Sequence, residues 1–175
     1  HIIKDSKLYY NIYIYDISKG SWTKGDELII APRQCSYSIV LGNKFYVWGG
    51  YSYTPLDKKE LRYYKENNIK LPSKGGIYTY SDGICIYFKN NKLIQEKIDN
   101  SLIFSFATNI INVPEEKKIY FFGGGYYNKL GIDTNIKFND IKVGCSFYSL
   151  SYDENFNIIK NSINYEERFK GTPRT

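Results

Sequence analysis

The segment KFYVWGG, residues 44–50, is a short apolar run that ends in two glycines, and KIYFFGGG, residues 118–125, repeats the pattern. Gly49 and Gly123 lie 74 positions apart in a chain of 175 residues. Short apolar runs bounded by glycine are typical of β-strands, so both segments predict strands that stop abruptly. A strand pattern that recurs along the chain indicates a repeat architecture.

The residues before each glycine run complete a hairpin pattern. In the first unit, Gly42-Asn43 separates two apolar runs, and these residue types tolerate the positive φ of a two-residue hairpin turn. In the second unit, Pro114 opens the corresponding turn. Aromatic residues make up 18% of the chain, and together with Ile and Val they suit pleated, half-buried surfaces. We therefore predict an all-β fold.

Further residues make the chain resemble the kelch repeat. That family has a Pro-Arg opening, a strand pair that ends in Gly-Gly, and a Tyr followed by six residues and then a Trp. Pro32-Arg33 matches the opening, and Tyr15 and Trp22 have the required spacing. The resemblance implies a β-propeller, in which four-stranded antiparallel blades pack around an axis. The residues to which it gives structural roles are Tyr15, Trp22, Arg33, Tyr46, Gly49, Gly50, Tyr120, Gly123 and Gly124.

The spacing of the repeat divides the chain into blades. We assign the outer strands of a first blade to residues 1–30, a second blade to 31–100, a third to 101–169 and the start of a further repeat to 170–175. These amount to about two to three blades, whereas closed propellers have ~4 to 8. We expect further blades of the same protein, or another protein, to complete the ring. A small open β-sandwich is the alternative fold.

The propeller explains the glycines, because a residue without a Cβ allows positive φ and a close approach by a neighbouring sheet. Trp22 is then expected to fill the space between two sheets, where a Trp buries on the order of 200 Å². Units of about seventy residues exceed the ~50 of a kelch repeat, and we expect Tyr148, Tyr152 and Phe156 to replace the missing later Trp. A phosphate-binding loop is the competing explanation. It requires Gly-x4-Gly-Lys-Ser/Thr, which follows neither glycine run.

The residue types argue against catalysis, a cofactor or a metal site. His1 is the only histidine, so no Ser-His, Cys-His or His-rich metal site can be assembled within this sequence. Cys35, Cys85 and Cys145 stand far apart, which disfavours a disulfide framework or a zinc site and favours small buried apolar roles. Unpaired cysteines tilt the prediction towards a cytoplasmic location. No apolar run approaches the ~18 residues of a membrane helix, so we predict no membrane partner.

An insertion at residues 53–76 follows the first glycine pair. Residues 56–74 carry a net charge that is half of the chain's +6, and Leu56, Leu61 and Tyr64 fit one short helical face. Long insertions on a rigid scaffold commonly carry recognition. The candidate binding residues are Lys58, Lys59, Arg62, Tyr63, Tyr64 and Lys65.

The leading hypothesis is therefore a non-enzymatic propeller segment that acts as a protein interaction scaffold or adaptor. A second hypothesis is that the insertion binds nucleic acid or a ribonucleoprotein, because tyrosines can stack on bases while lysines meet phosphates. A third makes the segment part of a propeller enzyme whose catalytic residues lie outside it. A solvated loop without a partner remains the plain alternative for the insertion.

Overall fold

The structure, a computed structural model, describes residues 11–53, 61–62, 65–66, 77–80, 82–98, 108–123, 125–126, 142–143, 147–159 and 164–166. The predicted all-β class is confirmed for this part of the chain, and every strand pairing in it is antiparallel. The strands are β1 (Asn11–Asp16), β2 (Ser21–Glu27), β3 (Tyr37–Leu41), β4 (Lys44–Trp48), β5 (Tyr51–Tyr53), β6 (Ile77–Thr79), β7 (Gly83–Lys89), β8 (Lys92–Ile98), β9 (Asn109–Val113), β10 (Lys118–Phe122), β11 (Gly125–Tyr126), β12 (Lys142–Val143), β13 (Phe147–Ser151) and β14 (Asn164–Glu166).

Two four-stranded sheets share one connectivity. In the first sheet the order is β3-β4-β7-β8, and in the second it is β9-β10-β13-β14. Each begins with a hairpin, leaves the sheet for a two-stranded ribbon (β5-β6 or β11-β12), and returns to add two more strands. The predicted Gly42-Asn43 turn joins β3 to β4, with Gly42 at φ 57°. Pro114–Glu116 forms a 3₁₀ turn between β9 and β10.

The two sheets pack face to face around buried aromatic rings. Phe121 of the second sheet meets Tyr37 and Trp48 of the first edge-on, with ring centroids 5.7 and 5.8 Å apart. Phe121 also stacks on Tyr148 of its own sheet at 4.7 Å. Phe121 and Tyr148 are 1% exposed and Trp48 is 2% exposed. Because rings of this size bury 150–250 Å² each, this cluster supplies much of the apolar surface that folding removes from water.

A second contact joins the sheets where the chain leaves β13. The Tyr46 hydroxyl donates to the Phe156 carbonyl at 2.6 Å, and Lys44 Nζ donates to Asn157 Oδ1. Asp153 shapes this loop by accepting from the backbone N–H groups of Asn155 and Asn157 at 2.9 and 2.8 Å. The hydrogen bonds from Asn157 hold the pKa of the Asp153 carboxyl below its usual value. The loop therefore forms a polar clasp beside the aromatic core.

The hairpin β1-β2 lies on the other side of the first sheet. The Gln95 side chain of β8 attaches the segment that follows this hairpin, since it accepts from the Ile29 N–H at 3.2 Å and donates to the Glu27 carbonyl at 2.9 Å. Tyr15 and Trp22 pair across the hairpin with ring centroids 5.0 Å apart. The expected burial of Trp22 between sheets is wrong, because its face of the hairpin points outward and Trp22 is 68% exposed.

Glycines at the ends of β4 and β10 have the left-handed backbone that their residue type allows. Gly49, Gly50 and Gly123 have φ values of 63°, 90° and 74°. A Cβ at Gly50 would lie 2.6 Å from the Gln34 carbonyl oxygen, whereas one at Gly123 would meet only Asn109 Nδ2 at 3.8 Å. The close approach at Gly50 thus comes from the chain segment just before β3 and not from a neighbouring sheet. Gly124 lies outside the described residues.

We predict that Gly42→Ala destabilises the fold by roughly 2 to 4 kcal/mol, because it combines left-handed backbone with an overlap in the clasp. A Cβ at Gly42 would lie 2.5 Å from Phe156 Cε2. Gly20→Ala is the matched control, since Gly20 has φ 62° but only the Tyr15 hydroxyl within 4 Å, at 3.9 Å. It should cost about 1 kcal/mol. Urea unfolding measures both, and equal losses would contradict the packing of Phe156 on Gly42.

Candidate functional site

The insertion at 53–76 is attached to the tip of a two-stranded ribbon. Tyr51 pairs with Thr79 and Tyr53 with Ile77, so β5 and β6 carry the chain out of the first sheet and back. The ribbon begins just beyond Gly49 and Gly50 and ends just before β7. β5 and β6 therefore leave and rejoin the first sheet at the same end.

Arg33 holds the base of the ribbon. Its side chain is 4% exposed, and Nη1 donates to the Asp82 carboxylate at 2.7 Å. The same nitrogen donates to the Asp82 and Gly49 carbonyls at 3.1 and 3.3 Å, and Nε donates to the Ala31 carbonyl at 2.9 Å. The guanidinium carbon lies 4.1 Å from the ring centroid of Tyr80. Since the fork of Arg bonds several oxygens at fixed angles, Arg33 joins three chain segments at one point.

Backbone hydrogen bonds complete this base. Gln34 and Tyr51 exchange N–H to carbonyl bonds of 2.8 and 2.9 Å, and the Tyr80 N–H donates to the Gly50 carbonyl at 2.9 Å. Both strands of the ribbon are thus bonded at their roots to the segment that precedes β3 and to the glycine pair. The ribbon leaves the sheet in a defined direction, which suits presentation of a recognition segment.

Within the insertion the structure describes Leu61, Arg62, Lys65 and Glu66, and all four are helical and exposed. Arg62 Nε donates to Glu66 Oε1 at 2.6 Å, an i, i+4 pair across one helical turn. The hydrogen bond and charge of Glu66 raise the pKa of Arg62. The short helical segment expected from the sequence is present at these residues. Among the other candidate binding residues, those that lie outside the described residues are Lys58, Lys59, Tyr63 and Tyr64.

The tyrosines that precede the glycine runs have different environments. Tyr46 is 3% exposed, and burial raises its pKa. Tyr120 is half-buried, and its hydroxyl donates to the Glu116 carboxylate. Tyr46 therefore serves the contact between sheets, while Tyr120 bonds to the turn between β9 and β10.

The described cysteines occupy opposite environments. Cys85 is 4% exposed within the core cluster, where burial raises the pKa of its thiol. Cys35 is exposed, and its Sγ lies 3.6 Å from the Tyr51 hydroxyl. Cys145 lies outside the described residues. Across the residues that the structure describes, no three His, Cys, Asp or Glu side chains come together as a metal site, and no helix is long and apolar enough to cross a membrane.

Two features were not anticipated from the sequence. The second ribbon, β11-β12, leaves the second sheet at its own glycine run, much as β5-β6 leaves the first sheet after Gly50. The sequence feature that the two ribbons share is a glycine run followed by a long interval before the chain returns to its four-stranded sheet. The other feature is a cleft of about 410 Å³ between the β1-β2 hairpin and the outer face of the first sheet. Its apolar lining includes Ile12, Tyr13, Phe45, Val47, Ile84 and Ile86.

Neither a scan against protein-family models nor a search of curated proteins found a match to this chain. Function therefore has to be inferred from the geometry of the described residues.

We predict that Arg33→Ala destabilises the protein by about 3 to 5 kcal/mol, because Asp82, whose side chain is 16% exposed, loses its charged partner. Arg62→Ala is the matched control and should change stability very little, because its ion pair with Glu66 is exposed and screened by solvent. Chemical denaturation followed by circular dichroism gives both values. A loss at Arg33 no larger than the loss at Arg62 would contradict the structural role of Arg33.

We also predict that the two described thiols differ in reactivity. In a Cys145→Ser variant at pH 8, Cys35 should react promptly with an aromatic disulfide reagent, while Cys85 should react only after denaturation. The reason is that burial both blocks access to Cys85 and disfavours its thiolate. Release of the coloured thiol, followed with and without denaturant, measures this. Prompt reaction of both thiols in the native protein would show that the core cluster is open.

Proposed function

We propose that this chain is a non-enzymatic, kelch-like propeller segment that acts as a scaffold for protein interactions, with the insertion at 53–76 as its recognition element. The observation that carries the proposal is a hydrogen-bonded base at the root of the ribbon, together with an insertion whose described helical residues are exposed. Arg33 is almost fully buried at the root of the ribbon, while Arg62 and Lys65 on the insertion are exposed. A fixed base lowers the entropy cost of presenting a binding segment.

The propeller part of the proposal is supported by the two sheets. They have four antiparallel strands each, the same order, and a glycine run at the end of the second strand. They also pack face to face through residues that alternate along β4 and β10. Such stacking of similar sheets is what a propeller repeats around its axis.

Nucleic acid is the second candidate for the insertion. It is favoured by the exposed cations Arg62 and Lys65 next to Tyr63 and Tyr64 in the sequence. The ion pair between Arg62 and Glu66 argues for a protein partner instead, since it already satisfies part of the guanidinium. The enzyme hypothesis would place the catalytic residues outside this sequence, in which His1 is the only histidine.

The test is a variant with Lys58, Lys59, Arg62 and Lys65 all changed to Ser. We expect it to lose protein partners that the parent captures after chemical cross-linking, while its thermal stability stays unchanged. A matched control changes four other exposed lysines of the hairpin and first sheet, Lys24, Lys89, Lys92 and Lys97, to Ser. It alters the net charge equally and should keep those partners. Equal capture by both variants would remove the insertion from the proposal.

Salt dependence separates the two candidates. The parent is titrated with a labelled single-stranded oligonucleotide of mixed sequence at 50 and 200 mM salt. If four cations met phosphates, affinity would fall roughly fiftyfold between these concentrations. We expect no saturable binding of the oligonucleotide. Tight binding with that salt dependence, abolished in the insertion variant but kept in the control variant, would replace the scaffold proposal with nucleic-acid recognition.

A further inference from the structure

The cleft on the outer face of the first sheet corresponds to a face that is fully covered in the second sheet. Phe45 and Val47 precede Gly49 by the same intervals at which Ile119 and Phe121 precede Gly123. Ile119 and Phe121 are 0% and 1% exposed because they pack against the first sheet. Phe45 lines the cleft and is 40% exposed.

The neighbouring strands, β7 in the first sheet and β13 in the second, also carry residues at matching positions. In the second sheet, Ile119 pairs with Leu150 and Phe121 with Tyr148, and all four side chains belong to or adjoin the contact with the first sheet. In the first sheet, Phe45 pairs with Ile86 and Val47 with Ile84, and all four residues line the cleft. The residues that line the cleft in the first sheet therefore hold the same positions as the residues of the second sheet that pack against its neighbour.

The contact between the two four-stranded sheets indicates what kind of element would fill the cleft. The second sheet is covered by the hairpin β3-β4, which contributes Tyr37, Tyr46 and Trp48, together with Cys85 of β7. On its outer side the first sheet faces the β1-β2 hairpin. Gln95 of β8 holds this hairpin through the carbonyl of Glu27, at the end of β2. In the first sheet, β7 pairs with β4 along one edge and with β8 along the other. Among the described residues, β1 pairs with β2 alone, and β1 is the strand that borders the cleft.

We propose that a docking seat for a β-hairpin supplied by a partner polypeptide is formed by the cleft and by the edge of β1 that has no pairing among the described residues. One strand of that hairpin adds to β1 in antiparallel fashion, and bulky aromatic side chains alternating along it fill the cleft against Phe45 and Val47. Strand addition supplies main-chain hydrogen bonds, and the cleft supplies the selection for aromatic residues.

An intact second copy of this chain does not offer β4 or β10 as the added strand. Both carry the required pattern before a glycine run, but each is already paired on both edges within its own sheet. A suitable partner must therefore bring an aromatic hairpin with a free edge. This seat lies at the β1-β2 hairpin, so the inference does not depend on the insertion at 53–76.

The probe is a fluorescein-labelled peptide of residues 36–50, which contains the β3-β4 hairpin, held closed by a cross-link between its ends. Its binding to the full chain is followed by fluorescence anisotropy. We expect saturable binding that weakens at least about tenfold when Tyr46 and Trp48 of the peptide are changed to Ser, because large aromatic anchors dominate such contacts. This change leaves the protein itself intact.

On the protein side, Phe45→Glu should weaken binding of the peptide at least about tenfold, because it places a charge in the apolar cleft. The matched control is Ile17→Glu on the same β1-β2 hairpin but outside the cleft, where Ile17 is 87% exposed. It should change affinity by no more than about twofold. Circular dichroism checks that both variants remain folded. Absence of saturable binding to the parent, or equal binding of both peptides, would overturn the proposal; so would an affinity that Phe45→Glu leaves unchanged.

Discussion

The packing of Phe121 against Tyr37 and Trp48 sets the relation of the two sheets, and most other features follow from it. Aromatic rings meeting edge-on at 5.7 and 5.8 Å bury large surfaces while leaving little freedom for one sheet to slide over the other. Because side chains alternate along a strand, turning Trp48 towards the second sheet necessarily turns Val47 towards the opposite side. The same core therefore places an apolar surface on the outer face of the first sheet.

Polar contacts at the two ends of the first sheet have different tasks. At one end, the clasp of Lys44 and Tyr46 on the loop after β13 supports the contact between the sheets. At the other end, Arg33 and Asp82 join the segment before β3 to the root of the ribbon. Burying a charged pair is costly unless further hydrogen bonds satisfy it, and the Gly49 and Ala31 carbonyls supply some of these. Removing Arg33 alone would take away these bonds and leave the Asp82 carboxylate without its charged partner.

This division matters for the proposed function. The Tyr46 hydroxyl and the Cys85 thiol lie inside the contact between sheets, where burial raises the pKa of each. Perturbed groups often mark functional sites, but for these two the largest cause of the shift is burial in the core. The features left at the surface are the described helical residues of the insertion and an apolar cleft beside β1, which pairs only with β2 among the described residues. Both are suited to binding macromolecules.

Local sequence patterns were enough to predict the all-β class, the Gly42-Asn43 hairpin and the abrupt ends of β4 and β10. These features depend on residues close in the chain, where glycine conformation and alternating apolar side chains act directly. Arg33 was also assigned a structural role, but its partner Asp82 lies 49 positions away and no local pattern identifies it. Folding alone decided that Trp22 faces outward, that Phe156 lies over Gly42, and that Phe45 borders a cleft. Each of these outcomes depends on which sheet faces which, and that is settled only when distant strands compete for the same buried surface.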